Sequence, residues 1–435
     1  MAGNAQNAKP RPQKTKKRSR RPDFLALGGI DVFFLLLVIA ILTIGLVMLF
    51  SASYTYAFYN KKGDSTYFFK RQLIFAVVGV VCMLLVSKLR YDYLKILAVP
   101  GLIVSWGLLV IVLILPASFG EFHRWINLGF FTFQPSEIAK LAIILFCAYE
   151  MDRNHKKIVG KSINRSKFAD GVKELSGGHI VVYNSFLQLL FYALVITVTA
   201  GLVYLENHLS GTILILAIGV IMMYLGEIKR HWFVLIAVIA AVAIIIFVLN
   251  PQLLEKYAGA RITAWLDKSY DPKGARWQTN NSLYAIGSGG LFGTGLGNSK
   301  QKHLYVSEPQ NDFIFAIVCE ELGFVGCTAI IVLLLLYLLR VLYIASKARD
   351  DLGRCMCFGF FGLIALQSVS NIGMCLALLP VMGVTLPFFS AGGSSAVCLY
   401  LGFGLIQSVY MHRPDANVPH LRSTRTLKMN FRKLN

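Results

Sequence analysis

The sequence predicts an all-α, polytopic membrane protein: ten transmembrane helices, with a large extracellular loop between the seventh and the eighth. Three observations predict it. Hydrophobic residues fill 56% of the 435 positions and charged residues only 15%, against roughly 25% charged in an ordinary soluble domain. Mean hydropathy is +0.61. Ten apolar runs stand out between polar flanks, most of them near the ~20 residues that cross the hydrocarbon. Backbone groups in lipid must be bonded within their own segment, which makes the runs helices rather than strands.

A basic tail, residues 1–30, comes first. It is polar, and the apolar run behind it is long and far in, so no cleavable signal peptide is expected. The runs lie near 31–53, 72–88, 94–115, 134–149, 185–204, 210–226, 231–249, 312–339, 355–378 and 388–411, and form one membrane domain over 31–411. A second basic tail covers 412–435. An even number of spans puts both termini on one side. That side carries 30 Lys and Arg against 12 on the other, which predicts cytoplasmic termini. The net charge of +21 invites a nucleic-acid reading, but the cations crowd into tails and loops as topology signals do. Attraction to anionic lipid is the simple role for the tails. The eight cysteines fall in or beside apolar runs with no CxxC and no Cys/His cluster. They read as small helix residues, with no disulfide framework and no protein metal site.

Two connections exceed simple turns. Residues 150–184 are basic and read as a solvated inside connector. Residues 250–311 form the outside loop, which contains Tyr257, Trp265, Tyr270, Trp277, Tyr284, Phe292 and Tyr305. So many aromatics predict short interfacial helices and turns rather than a structureless linker.

Polar residues within or beside apolar runs are costly and mark four places. The first is Arg124-Trp125-Ile126, then Phe133-Gln134-Pro135-Ser136-Glu137 and Lys140. Pro135 suits a first helical turn. Glu137 and Lys140 share a helical face as an i, i+3 pair, which is either a packing ion pair or, with Arg124, a cationic patch for a phosphate. The second is Glu206-Asn207-His208-Leu209-Ser210-Gly211-Thr212, a tight outside turn that reads as a hydrogen-bonded hairpin. The third spans the glycine run from Gly293 to Gly297, then Asn298 to Lys302, Ser307 to Phe315, and Glu320-Glu321-Leu322-Gly323. The glycine run reads as a compact turn whose N–H groups, with Lys300 and Lys302, face an anion. Asp312 is either a helix cap or, partly desolvated, a usable base. One of Glu320 and Glu321 is expected to bond a neighbouring helix. The fourth is Gln367 and Asn371 with Pro380, Gly383 and Pro387 to Ser395, a small-residue packing surface whose side chains include Ser390 and Ser394.

Taken together these motifs resemble the SEDS family (shape, elongation, division and sporulation). The resemblance rests on Arg124-Trp125-Ile126 with Phe133 to Glu137 and Lys140-Leu141-Ala142, on Gly295 to Lys302, on Asn311-Asp312-Phe313-Ile314-Phe315-Ala316 with Glu320 to Gly323, and on Leu386 to Ser395. It covers roughly residues 25–412 and is stronger to the FtsW/SpoVE branch than to RodA. Two departures stand out. The family usually has Pro-Asp where this chain has Asn207-His208, and an aromatic where Ala391 stands.

The resemblance implies a peptidoglycan glycosyltransferase of the bacterial cytoplasmic membrane that polymerises lipid II on its outer face, in septal synthesis or sporulation. Asp312 matches the family's essential carboxylate and would act as general base. The growing glycan on undecaprenyl pyrophosphate is the donor. Arg124, Trp125, Gln134, Glu137, Lys140, Lys300, Lys302, Ser390 and Ser394 are the expected substrate-binding residues. A divalent cation, Mg²⁺ or Mn²⁺, would be held mainly by the pyrophosphate. The implied partners are a class B penicillin-binding protein and other divisome proteins, with no nucleic acid. A lipid II flippase and a non-catalytic scaffold for the penicillin-binding protein are the competing readings.

Overall fold

The computed structural model describes residues 29–115, 124–127, 129, 132–164, 179–226, 230–250, 256–267, 269, 274 and 276–413. The basic tails lie almost wholly outside these residues, as do the middle of the 150–184 connector and Tyr270. The helices are α1 (Val32–Asn60), α2 (Tyr67–Lys88), α3 (Leu94–Ile114), α4 (Pro135–Asn164), α5 (His179–Leu205), α6 (Leu209–Leu225), α7 (Arg230–Leu249), α8 (Lys256–Leu266), α9 (Trp277–Ser288), α10 (Ile314–Ser346), α11 (Asp351–Cys375) and α12 (Gly393–Met411). One two-stranded hairpin, β1 (Ile126–Asn127) with β2 (Thr132–Phe133), precedes α4.

Every expected apolar run is helical, but several boundaries move. Helix α4 runs on to Asn164, so much of the expected connector is helix. Helix α12 starts at Gly393 rather than at 388, because the chain before it turns through Phe388 at φ 73°. Helix α11 starts at Asp351, where the Asp350 carboxylate accepts from Gly353 N. Among the described residues six helices (α1, α2, α3 with the short turn before it, α10, α11 and α12) are long and apolar enough to cross a bilayer. The chain is a polytopic, mostly helical membrane protein.

Helix pairs pack where small residues let them approach. The ring of Tyr400 on α12 lies over Gly79 of α2, and Gly404 sits against the Met83 carbonyl. The Asp31 carboxylate caps α1 and also takes two hydrogen bonds from Arg340 of α10, at 2.9 and 3.0 Å. Phe388 stacks on Phe403 at 5.0 Å, which pins the irregular 386–392 stretch to the bundle. The long loop folds as α8, α9 and a run of turns. Trp265 Nε1 donates to Ala377 O and Ser282 Oγ to Cys375 O, docking the loop on the end of α11.

Helix α10 is broken at Gly323 (φ 67°, ψ −170°). A Cβ there would overlap the backbone of Gly293. The break frees backbone groups that the loop then satisfies: Thr294 N donates to Glu320 O and Gly295 N to Glu321 O, while the helix N–H of Phe324 donates to Gly290 O. The loop thus lies beside α10 about two turns along its length. Irregular backbone is tolerated there because its polar groups are bonded to protein.

Candidate active site

A cavity of about 390 Å³ opens where four helices begin. Gln134 precedes α4, Asn207 to Ser210 head α6, Asn311 and Asp312 precede α10, and Ala391, Gly392 and Ser395 lie at the head of α12. Helix N-termini carry unsatisfied N–H groups and positive partial charge, so their convergence favours an anion. The β1–β2 hairpin holds Arg124 and Trp125 on one wall, and α8 brings Arg261 to another. Arg261 Nη1 donates to Val381 O at 3.1 Å, tying α8 to the 380–385 segment that lines the cavity.

Asp312 faces this space. Helix α10 starts two residues later and its first turn takes no side-chain cap, so the capping reading of Asp312 fails. Its carboxylate makes no hydrogen bond to protein among the described residues, and only its backbone is held. Asn371 Nδ2 donates to both Asp312 O and Val384 O, each at 2.7 Å. Gly383, at φ 61°, passes so near that a Cβ would stand 3.2 Å from Asp312 Oδ2. Desolvation, with a smaller push from Glu308, raises the Asp312 pKa to about 6 against the pull of Arg261 and Arg124. A carboxylate so placed is ionised at neutral pH and basic enough to take a proton. Glu308 itself is fully engaged, accepting from Tyr56 Oη (2.9 Å), Gln310 Nε2 (2.9 Å) and Asn311 Nδ2 (2.7 Å).

On the opposite wall Lys140 Nζ donates to Glu137 Oε1 at 2.8 Å, both buried and both on the cavity lining. His208 Nδ1 lies 3.3 Å from Gln134 Nε2 and 3.4 Å from Ser136 Oγ. Burial, with Arg124 and Lys140 nearby, lowers the His208 pKa to about 3. The fully buried Glu206 carboxyl has no hydrogen-bond partner among the described residues, and desolvation raises its pKa to about 8.

Residues 32–415 match the FtsW/RodA/SpoVE family, described as "Cell cycle protein". The chain is 35% identical over 386 residues to a protein of Trichlorobacter lovleyi named probable peptidoglycan glycosyltransferase FtsW, covering 88% of this chain and 93% of that one. It is 35% identical to stage V sporulation protein E of Bacillus subtilis, covering 87% and 96%. This chain belongs to the FtsW/RodA/SpoVE family. Its fold is similar to a chain of a peptidoglycan synthase complex that coordinates polymerization and crosslinking, with TM-score 0.68 and 26% identity, covering 89% of this chain and 99% of that one. It is also similar to the rod shape determining protein RodA of Thermus thermophilus, with TM-score 0.59 and 26% identity, covering 89% and 98%.

Within this family fold the sequence-predicted residues divide. Arg124, Trp125, Gln134, Glu137, Lys140 and Asp312 share the cavity. Ser390 and Ser394 stand behind its wall. Ser394 Oγ accepts from Gln134 N, while Ser390 Oγ accepts from Leu386 N and donates to Asn311 O. Lys300 and Lys302 are not part of the cavity, a correction with a clear cause. The anion that the glycine turn and Lys302 face belongs to the chain itself. The Glu320 carboxylate accepts from Ser299 Oγ (2.5 Å) and Lys300 N (2.8 Å). The Glu321 carboxylate accepts from Lys302 Nζ (2.9 Å) and from Ser51 Oγ of α1 (2.7 Å). Buried carboxylates need such partners. The Lys300 side chain points to the exposed surface.

Sequence reasoning missed Arg261 as a site residue and Tyr56 as the anchor of Glu308. Arg261 had one signal. With Trp265 it forms an i, i+4 pair on a short helix inside the loop, and both donate to the 377–381 segment. Among the described residues no group of three His, Cys, Asp or Glu side chains converges to hold a metal ion.

Proposed function

We propose that this chain is a peptidoglycan glycosyltransferase that polymerises lipid II at the outer face of the bacterial cytoplasmic membrane, in septal or sporulation wall synthesis. The observation that carries the reading is an unengaged carboxylate, Asp312, in a cavity shared with Arg124 and Arg261, in a chain whose relatives are named for this activity. All ten apolar helices cross the bilayer, the termini lie in the cytoplasm, and the α7–α10 loop lies outside, in keeping with the Lys and Arg distribution.

In this reading the acceptor sugar hydroxyl gives its proton to Asp312 as it attacks the anomeric carbon of the donor glycan. The bond from that carbon to the pyrophosphate oxygen breaks, with inversion. Undecaprenyl pyrophosphate leaves with charge that Arg124, Arg261 and the helix N-termini stabilise. Lys140 contributes less, because Glu137 offsets it. The Asp312 and Glu308 carboxylates are too few to form a metal cage, so a bound Mg²⁺ or Mn²⁺ would take most of its ligands from the pyrophosphate and supply further charge neutralisation there. A class B penicillin-binding protein is the expected partner, in line with the similarity to a synthase complex.

The polar pairs that suit a transport path, Glu137 with Lys140 and Glu320 and Glu321 with their loop, are bonded within the protein. Nothing in them favours a flippase. The test is polymerisation of lipid II by purified protein in detergent, where no sealed compartment exists, alone and with its transpeptidase. Native protein forms glycan strands and Asp312→Asn does not. An active Asp312→Asn protein would remove the assigned base.

A further inference from the structure

His208 is a ring that the catalytic reading leaves unused. It is about nine-tenths buried, yet it lines the cavity. Two donors approach one of its nitrogens. The Gln134 amide nitrogen can only donate, and Ser136 Oγ can donate to the same Nδ1. Nδ1 is therefore an acceptor, and in a neutral ring the proton sits on Nε2. Nε2 has no protein partner among the described residues and is not among the atoms shut away from the cavity. The surrounding cations Arg124 and Lys140, with burial, keep the ring from taking a second proton.

The fold makes room for this ring deliberately close to the helix. A Cβ on Gly211 would stand 2.6 Å from His208 Nδ1. The imidazole thus lies against the first turn of α6, with Gln134 and Ser136 at the start of α4 orienting it. Its outward face presents one fixed, uncharged N–H donor. Arg124 and Lys140 share that part of the cavity. A donor with no acceptor capacity, set among cations and helix N-termini, matches a phosphoryl oxygen.

We propose that His208 Nε2–H donates a hydrogen bond to the pyrophosphate of a polyprenyl-linked substrate. The proposal rests on the glycosyltransferase reading for its substrate class. His208 is a binding residue that fixes the phosphates relative to Asp312, and takes no proton in the reaction.

Two substitutions separate this donor from a packing role. In His208→Gln the amide nitrogen reaches the place of Nε2. In His208→Asn it reaches only the place of Nδ1, facing Gln134 and Ser136. Binding of farnesyl pyrophosphate and of farnesol to detergent-solubilised full-length protein, followed by tryptophan fluorescence, reads the difference without turnover. A hydrogen bond to a charged group corresponds to roughly tenfold or more in affinity. His208→Asn and His208→Ala are expected to weaken farnesyl pyrophosphate binding by that factor. His208→Gln is expected to stay within about threefold of native, by the same scale. Farnesol binding is unchanged in all of them. Native affinity in His208→Asn overturns the proposal. So does a His208→Gln protein as weak as His208→Ala, or an equal loss for farnesol, since either means the ring only packs. A protein that shows the expected pattern but never polymerises lipid II keeps the phosphate donor and loses the enzymatic reading. One that polymerises lipid II while His208→Asn binds farnesyl pyrophosphate normally does the reverse.

Discussion

Asp312 and the Glu320–Glu321 pair lie within nine residues of each other in one stretch of chain, yet they live in opposite electrostatic worlds. Glu320 and Glu321 are buried and saturated, with hydroxyls, amides and an ammonium on their oxygens. Asp312 has its backbone held by Asn371 and its carboxylate left to the cavity. The contrast teaches that the identity of an acidic residue says little about its task. Saturated carboxylates hold a fold together, and an unsaturated one beside cations is available for chemistry.

The widest separation between the two regions is expected from their neutral variants. Asp312→Asn should lower lipid II polymerisation by about 10²–10⁴-fold while the detergent melting temperature stays at the native value. A parallel loss of stability would place Asp312 with the structural acids. Lys302→Met should do the opposite. Leaving Glu321 buried without its ammonium costs about 3–5 kcal/mol, read as a large drop in melting temperature. Because replacing both partners of a buried pair is often nearly neutral, Lys302→Met with Glu321→Leu should recover much of it.

Gly383→Ala sharpens the comparison from the covering side. The left-handed backbone costs a side chain about 1–2 kcal/mol, and the added methyl presses on Asp312 Oδ2. Activity should fall by more than the stability loss explains. The pH profile gives a gentler signal. Asp312 must be ionised to act, so kcat/KM should be level near neutrality and fall as pH drops below about 6. Arg261 holds that pKa down, so Arg261→Met should move the acid limb to higher pH. A separate, pH-dependent stability signal belongs to Glu206, whose folded pKa is raised to about 8 from the ordinary 4.5. Its contribution to stability is complete below the ordinary value and is lost as pH rises through the folded one. Glu206→Gln should therefore match native protein in acid and melt higher by a growing margin as pH rises towards 8.

Much of this was legible in the sequence because hydropathy reports burial in lipid directly. The ten runs, the Pro135 start of α4 and the Glu137–Lys140 pair follow from composition and i, i+3 spacing alone. The family motifs brought Arg124 and Asp312 into one hypothesis, and the structure brings them to one cavity. What stayed hidden depends on long-range returns of the chain. Lys302 read as a cation for a substrate anion because its real partner, Glu321, lies 19 residues further along the chain. Arg261 sat in a loop without periodicity strong enough to aim it. His208 read as part of a simple hairpin, since the donors that fix its tautomer come from a segment 72 to 74 residues earlier.

Asn371 grips the floor of the cavity at the Asp312 carbonyl and its roof at the Val384 carbonyl with one amide nitrogen. Floor and roof on that side are therefore riveted into a single piece, and neither swings without dragging the other. In the proposed reaction a lipid-borne sugar would then enter past the wall that carries Arg124, Trp125 and the head of α6. In that reading Asp312 keeps its place while the substrates arrive.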